Sequence, residues 1–229
     1  SYGNRPNAAN STTQAPMEKL KVIVVGAGMG GLTTAIAMQQ AGYDVEIYDR
    51  VSALRPAGAG ISLWSNGVKV LNRLGLGDEI ATIGGPMEHM AYYEGKTGNL
   101  LTGFSLSPLV ARVGQAPYPV ARTDLQQMLL AAVGAERVQL NKRCVAIDQT
   151  PDSATAIFED GHRATGDVVI GADGTHSIIR KHVLGSPTER RYVGYVNWNG
   201  LVPVSDELAP PYSWDIYVAD GQRASVMPV

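Results

Sequence analysis

The sequence predicts an α/β fold: a parallel central sheet flanked by helices, followed by the start of a second unit built of β-sheet. Three observations predict it. Val22-Ile23-Val24-Val25, and Val168-Val169-Ile170 after Asp167, are short continuous runs of β-branched residues, the pattern of strands covered on both faces. Between the first run and another strand-like stretch at residues 45–48 lies one segment of helix length. This is a strand–helix–strand unit of about thirty residues, the connection a parallel pair requires. Beyond Arg190 the chain turns aromatic and strand-like, with proline-rich connections.

The elements follow in order. The helix of the first unit is predicted over residues 32–41, ending at Gly42, a good helix terminator. A second helix is expected over 66–74, with Val68, Leu71 and Leu74 on one side. Residues 89–94 and 100–104 read as strands. Residues 123–133 read as a helix: Thr123 and Gln126 have capping-box spacing, and Leu125, Met128, Leu129 and Ala132 form its apolar stripe. Short strands are expected near Val138 and Val145. Residues 154–158 and 162–165 flank a turn at Asp160-Gly161. Residues 192–204 and 214–227 are the strand-like stretches of the second unit, and Trp198 is read as core.

The bulk numbers set limits. The 229 residues, 45% hydrophobic with 26 Gly, suffice for one sizeable core. A net charge of -2 offers no basic excess for nucleic acid or an anionic membrane. No stretch approaches the roughly 18 consecutive apolar residues of a membrane span. The single cysteine, Cys144, excludes an internal disulfide framework and fits a reducing compartment, so a cytoplasmic location is expected. The four His are scattered, with no Ser/His/Asp or metal-ligand pattern. Residues 1–18 are read as a disordered leader: the first sixteen are rich in Asn, Ser, Thr, Ala and Pro and lack periodicity.

Gly26-Ala27-Gly28-Met29-Gly30-Gly31 carries the first chemistry. A glycine pattern alone is weak evidence. Here a strand precedes it, a helix follows, and Asp49 closes the next strand about twenty residues on, which makes a Rossmann-like nucleotide site. Gly26 allows the tight turn. Gly28 lets the backbone approach a pyrophosphate, and Gly31 permits close helix–strand packing. The helix N-terminus, starting at Met29 and Gly30, presents free N–H groups and a positive dipole end to phosphates. Asp49, with Arg50 beside it, can accept hydrogen bonds from a ribose diol. These residues do not say FAD rather than NAD.

The segment Gly171-Ala172-Asp173-Gly174-Thr175-His176-Ser177-Ile178-Ile179-Arg180 resembles the second fingerprint of the flavin-dependent aromatic hydroxylases. The resemblance implies bound FAD, with Asp173 and Gly174 near it, and NADH or NADPH as the reductant. It also implies that Gly58-Ala59-Gly60-Ile61-Ser62 passes the flavin, with Ser62 in contact. Arg122 would lie on the flavin phosphates or ribityl chain, and Cys144 would present its backbone to the adenine. Nearly the whole chain from Lys19 onward closely resembles the FAD-dependent urate hydroxylases of that family. Residues 62–67, Arg190-Arg191, the run Tyr192-Val193-Gly194-Tyr195-Val196-Asn197-Trp198-Asn199-Gly200, and Ser225-Val226-Met227-Pro228-Val229 carry this likeness.

A bottom-up clue converges on the substrate side. If Asp220-Gly221 is a two-residue turn, Ala219 faces Gln222, Val218 faces Arg223, Ile216 faces Ser225 and Trp214 faces Met227. Arg223 then sits on an otherwise apolar face, where it needs a small planar anion, a protein carboxylate or a route to water. The family resemblance places Asn197 and Arg223 at the purine, with Arg223 the residue that holds the anion for hydroxylation by O2. Another aromatic acid, salicylate- or nicotinate-like, is the alternative substrate; a non-catalytic truncated flavin-binding module is the alternative from another class.

The expected organisation is an FAD-binding domain over residues 19–190, with inserted strands near 88–105, and a substrate-domain sheet beginning at 191. Family members continue to a third FAD motif and a C-terminal helix. The sheet over 191–229 is therefore expected to be truncated, the rest being supplied by the parent polypeptide, a separate polypeptide or a second copy.

Overall fold

The computed structural model describes residues 19–54, 58–203, 205 and 207–229. The leader expected at 1–18 lies outside the described residues. The first strand–helix–strand unit is β1 (Lys21–Val25), α1 (Met29–Gln40) and β2 (Asp44–Tyr48). β3 (Gly60–Leu63), α2 (Ser65–Arg73) and α3 (Gly77–Ile83) follow, then β4 (His89–Glu94) and β5 (Leu100–Ser105). α4 (Ser107–Val113), β6 (Tyr118–Ala121) and α5 (Arg122–Val133) lead to β7 (Val138–Gln139). A meander of β8 (Cys144–Gln149), β9 (Ala154–Phe158) and β10 (Arg163–Gly166) precedes β11 (Val168–Gly171) and α6 (Ile178–Leu184). The hairpin β12 (Ser213–Ala219) and β13 (Gln222–Val226) comes last.

The central sheet has the order β11-β1-β2-β7, and every pair in it is parallel. β1 is covered on both faces, as its unbroken β-branched run requires. Val22 and Val24 pack with Leu32 and Ile36 of α1 and Leu125 and Leu129 of α5. Ile23 and Val25 face the other way, onto Ala156 and Phe158 of the meander and Ile179 of α6. Burying each such side chain stabilises by about 1.5–3 kcal/mol. Because the strands run parallel, β1, β2 and β11 all end on one edge of the sheet, where α/β folds hold ligands.

A second sheet, ordered β13-β12-β4-β5, joins the strands around residue 90 to the last hairpin, with β12 parallel to β4. The hairpin register is the expected one: Ala219 opposes Gln222, Val218 opposes Arg223 and Ile216 opposes Ser225. Its inner face packs Met87, Met90, Leu106 and Ile216 with Trp64 and Trp214. The antiparallel pair β3–β6 is a separate ladder.

Three local expectations are corrected. Residues 192–203 form no strand. A strand needs a partner for its backbone groups, and this segment is hydrogen-bonded into none of the described sheets. Trp198 is not core; it is 91% exposed. The capping box at Thr123 is absent: α5 starts one residue earlier, with Ala121 at the N-cap position, so Thr123 lies inside the first turn and bonds Asp124 instead.

Candidate functional site

The glycine turn is built by contacts that leave no room for side chains. Gly26 adopts φ +109°, and a Cβ there would lie 2.1 Å from the Ala172 carbonyl oxygen. A Cβ on Gly31 would lie 1.8 Å from the Gly26 carbonyl oxygen. Both glycines hold β1, α1 and the end of β11 together, and the Ala172 N–H donates to the Val25 carbonyl at 2.7 Å. Gly28 differs. It is the N-cap of α1, and nothing lies within 4 Å of where its Cβ would be. Open space thus lies beside the free N–H groups of the helix start, the arrangement a diphosphate needs.

Asp49 follows β2 and closes the turn. Its Oδ2 accepts the Ala27 N–H at 2.7 Å, and its Oδ1 accepts the Val51 N–H at 3.0 Å. Each oxygen keeps a lone pair for a further donor. Asp173 follows β11 and caps the start of α6. Its Oδ1 accepts from the Ser177 hydroxyl at 2.5 Å, and its Oδ2 accepts the Ile178 N–H at 2.9 Å. Arg180 folds back onto the Thr175 carbonyl and the Thr188 hydroxyl, both at 2.9 Å.

These residues share one cleft of about 510 Å³, lined by Gly26, Gly28, Asp49, Arg50, Cys144, Asp173 and Gly174. Met29 and Gly30, the first residues of α1, follow Gly28 but are not among the residues lining the cleft. Sequence reasoning missed Lys142, Arg143 and His176, which also line it. Their flanking of Cys144 and of the Asp-Gly pair was the available signal. Lys142 is held by Asp160 at 2.5 Å. Burial pushes the Cys144 thiol above its ordinary value, only partly offset by backbone hydrogen bonding at Ala146, which favours an unreactive thiol.

At the wall of the cleft, Tyr48 is buried between the central sheet and the meander, its ring tilted against Phe158. Its hydroxyl donates to Glu46 at 2.6 Å, and Lys21 pairs with Glu46 at 2.8 Å. Burial alone would raise the Glu46 carboxyl, but the bonds from Lys21 and Tyr48 outweigh it and hold the carboxyl below its ordinary value. Burial, then the bond to Glu46, push the Tyr48 phenol upward.

A second cavity, of about 630 Å³, lies against the last hairpin. Ser62, Asn197, Asn199, Arg223, Ser225 and Trp214 line it. Among the described residues no Asp or Glu side chain lines it, and none lies within ion-pair distance of Arg223, which is exposed and so has the route to water expected of it. Ser62, expected with the cofactor set, is thus on the same cavity as the two expected substrate residues. The space beside Gly60 is filled by Val229, 2.6 Å from where a Cβ would be. Arg122 lies in neither lining. Its backbone N–H donates to Ala59, and its side chain passes 3.3 Å from where a Gly58 Cβ would be.

A glycine turn, an open helix N-terminus and an acidic residue after the second strand, gathered at the carboxyl edge of a parallel sheet, define a dinucleotide-binding α/β protein. The chain belongs to the FAD-binding domain family, whose model matches residues 19–228. It is 50% identical over 212 residues to the FAD-dependent urate hydroxylase of Mycolicibacterium vanbaalenii, covering 92% of this chain and 54% of that protein. It is 34% identical over 215 residues to 3-amino-4-hydroxybenzoate 2-monooxygenase of Streptomyces cremeus, again 92% of this chain and 54% of the relative. The crystal structure of Klebsiella pneumoniae HpxO complexed with FAD and uric acid superposes with a TM-score of 0.88 at 46% identity, covering 91% of this chain and 53% of that one. The chain spans about half the length of the curated relatives it matches. Among the described residues, no helix is long and apolar enough to cross a membrane.

Proposed function

We propose that the protein is an FAD-dependent monooxygenase that hydroxylates urate to 5-hydroxyisourate, using NADH or NADPH and O2, in purine breakdown in the cytoplasm. The observation that carries this reading is the second cavity: the exposed guanidinium-bearing Arg223, with no ion-pair partner among the described residues, and several neutral hydrogen-bonding side chains, with no Asp or Glu among its described lining residues. Such a lining suits a planar anion with both donor and acceptor edges. Relatives at 45–50% identity are described as urate hydroxylases, which supports the same substrate.

The division of labour follows the two cavities. Residues 19–190 would hold FAD. The open space at Gly28 and the α1 N-terminus fit its diphosphate, Asp49 its ribose, and the backbone at Cys144 its adenine, with Arg50, Arg122, Asp173 and Gly174 completing the set. Residues 191–229, with the β4–β5 hairpin, would begin the substrate part. Bound FAD would supply the redox chemistry, taking electrons from the reduced nicotinamide and passing them to O2. The protein's task is positioning. Arg223 would neutralise the urate anion and fix its orientation, which keeps the electron-rich ring aligned for attack. Asn197 would offer an acceptor and a donor to the purine edge. Trp64, Trp214 and Met227 pack with the hairpin's apolar cluster, and Trp214 and Met227, on the cavity lining, would help keep water out.

Purified protein tests the reading. It should be yellow, and urate should stimulate NADH or NADPH consumption with formation of the hydroxylated product. Yellow protein stimulated by a hydroxybenzoate or a nicotinate but not by urate would move the substrate to another aromatic acid. Colourless protein that takes up no FAD would contradict the enzymatic reading.

A further inference from the structure

Asn197, Trp198 and Asn199 alternate in direction. The two asparagines line the substrate-side cavity, while Trp198 between them is turned out and 91% exposed. The Asn197 Nδ2 donates to the Asn199 Oδ1 at 3.4 Å. An asparagine amide can present either its oxygen or its nitrogen, and this bond selects one orientation: one Asn197 N–H is engaged, leaving its Oδ1 and its other N–H for a ligand. Asn199 spends only one acceptor lone pair in doing so and keeps two N–H donors at the cavity wall. Arg223, on the same lining, is a donor only. The Asn197 Oδ1 is therefore the acceptor left wholly free among these three side chains, the Asn199 Oδ1 being partly engaged, and the bond between the two amides favours that orientation.

We propose that Asn199 is a positioning and specificity residue of this cavity. It fixes the Asn197 amide so that its oxygen receives a ring N–H of the bound heterocycle, while Arg223 takes the anionic oxygen edge. The ligand class is a planar anionic heterocycle carrying at least one N–H; an aromatic acid without a ring N–H gains nothing from the arrangement. This rests on the urate reading of the same cavity.

The test measures urate dissociation constants, by flavin absorbance perturbation or calorimetry, for full-length FAD-loaded wild type, Asn199→Leu and Asn199→Gln, with salicylate as a ligand lacking a ring N–H. FAD affinity and melting temperature serve as controls. Asn199→Leu should weaken urate about ten-fold, the worth of roughly one hydrogen bond, with salicylate and FAD affinities unchanged. Asn199→Gln keeps a neutral amide oxygen for the Asn197 Nδ2 and should restore most of the loss. An Asn197→Ala, Asn199→Leu double variant should be no weaker than Asn197→Ala alone. Unchanged urate affinity in Asn199→Leu, equal weakening of both ligands, or additive losses in the double variant would overturn the proposal while leaving the urate reading intact. Wild type that binds no urate would remove both.

Discussion

The Asp49 carboxylate receives the Ala27 N–H at 2.7 Å, tying the end of the second strand to the glycine turn after the first. One side chain thus both shapes the turn and borders the nucleotide cleft. Asp49→Asn keeps an oxygen for the Ala27 N–H but turns its amide N–H groups toward the Val51 N–H, so it should bind FAD more weakly and lose less stability than Asp49→Ala. Asp49→Ala strands the Ala27 and Val51 N–H groups and should also lose about 1–3 kcal/mol of stability. Chemical denaturation and flavin fluorescence titration separate the two effects.

Gly28 and Gly31 make opposite predictions although they lie one turn apart. Ala at position 31 would drive a Cβ into the Gly26 carbonyl, and a clash of that kind costs about 1–3 kcal/mol or more. Gly31→Ala should therefore melt early and hold little flavin. Gly28→Ala meets open space within the protein, so its stability should stay within about 1 kcal/mol of wild type. Its FAD affinity should nonetheless drop on the order of ten-fold, because the new methyl occupies the approach of the diphosphate. Melting curves with and without FAD check both.

Arg223→Gln should leave FAD binding and much of the NADH oxidation in place while uncoupling it from hydroxylation. Arg223 lines the second cavity and not the cleft that holds Gly28 and Asp49, so its loss should misplace the ring without disturbing the cofactor. Parallel measurement of NADH consumed, hydrogen peroxide released and urate hydroxylated gives the coupling ratio. Tight coupling in this variant would count against the role.

Glu46 gives a pH dependence. Its carboxyl is held below the ordinary value of 4.5, so its contribution to stability is full above about that pH and fades as pH falls through the lower folded-state value. Glu46→Gln should be less stable than wild type at pH 7, and the gap should narrow toward pH 3. Urea midpoints across that range report it.

Much of this was legible in the sequence because local chemistry and tertiary role coincide. The β-branched run at Val22 had to be a doubly covered strand, and Gly26, Gly31 and Asp49 had to meet at its end. Asp220-Gly221 set the hairpin register that puts Arg223 opposite Val218. What was missed depends on distant partners. Residues 192–203 have strand composition without a strand neighbour among the described residues. Thr123 carries a capping signal two residues past the actual N-cap, Ala121, where the Arg122 N–H is claimed by Ala59 beside the β3–β6 ladder. Ser107-Pro108 opens a helix that a proline at the first turn could have announced. Lys142 joins the cleft wall through its pairing with Asp160, 18 residues away, which no periodicity records.

The most direct test of the nucleotide cleft is a crystal structure of the protein grown with FAD. The expected result is the diphosphate against the backbone N–H groups at the start of α1, a ribose hydroxyl on Asp49, and the adenine beside Cys144. FAD seated away from Gly28 and Asp173, or diphosphate density elsewhere on the sheet, would contradict it.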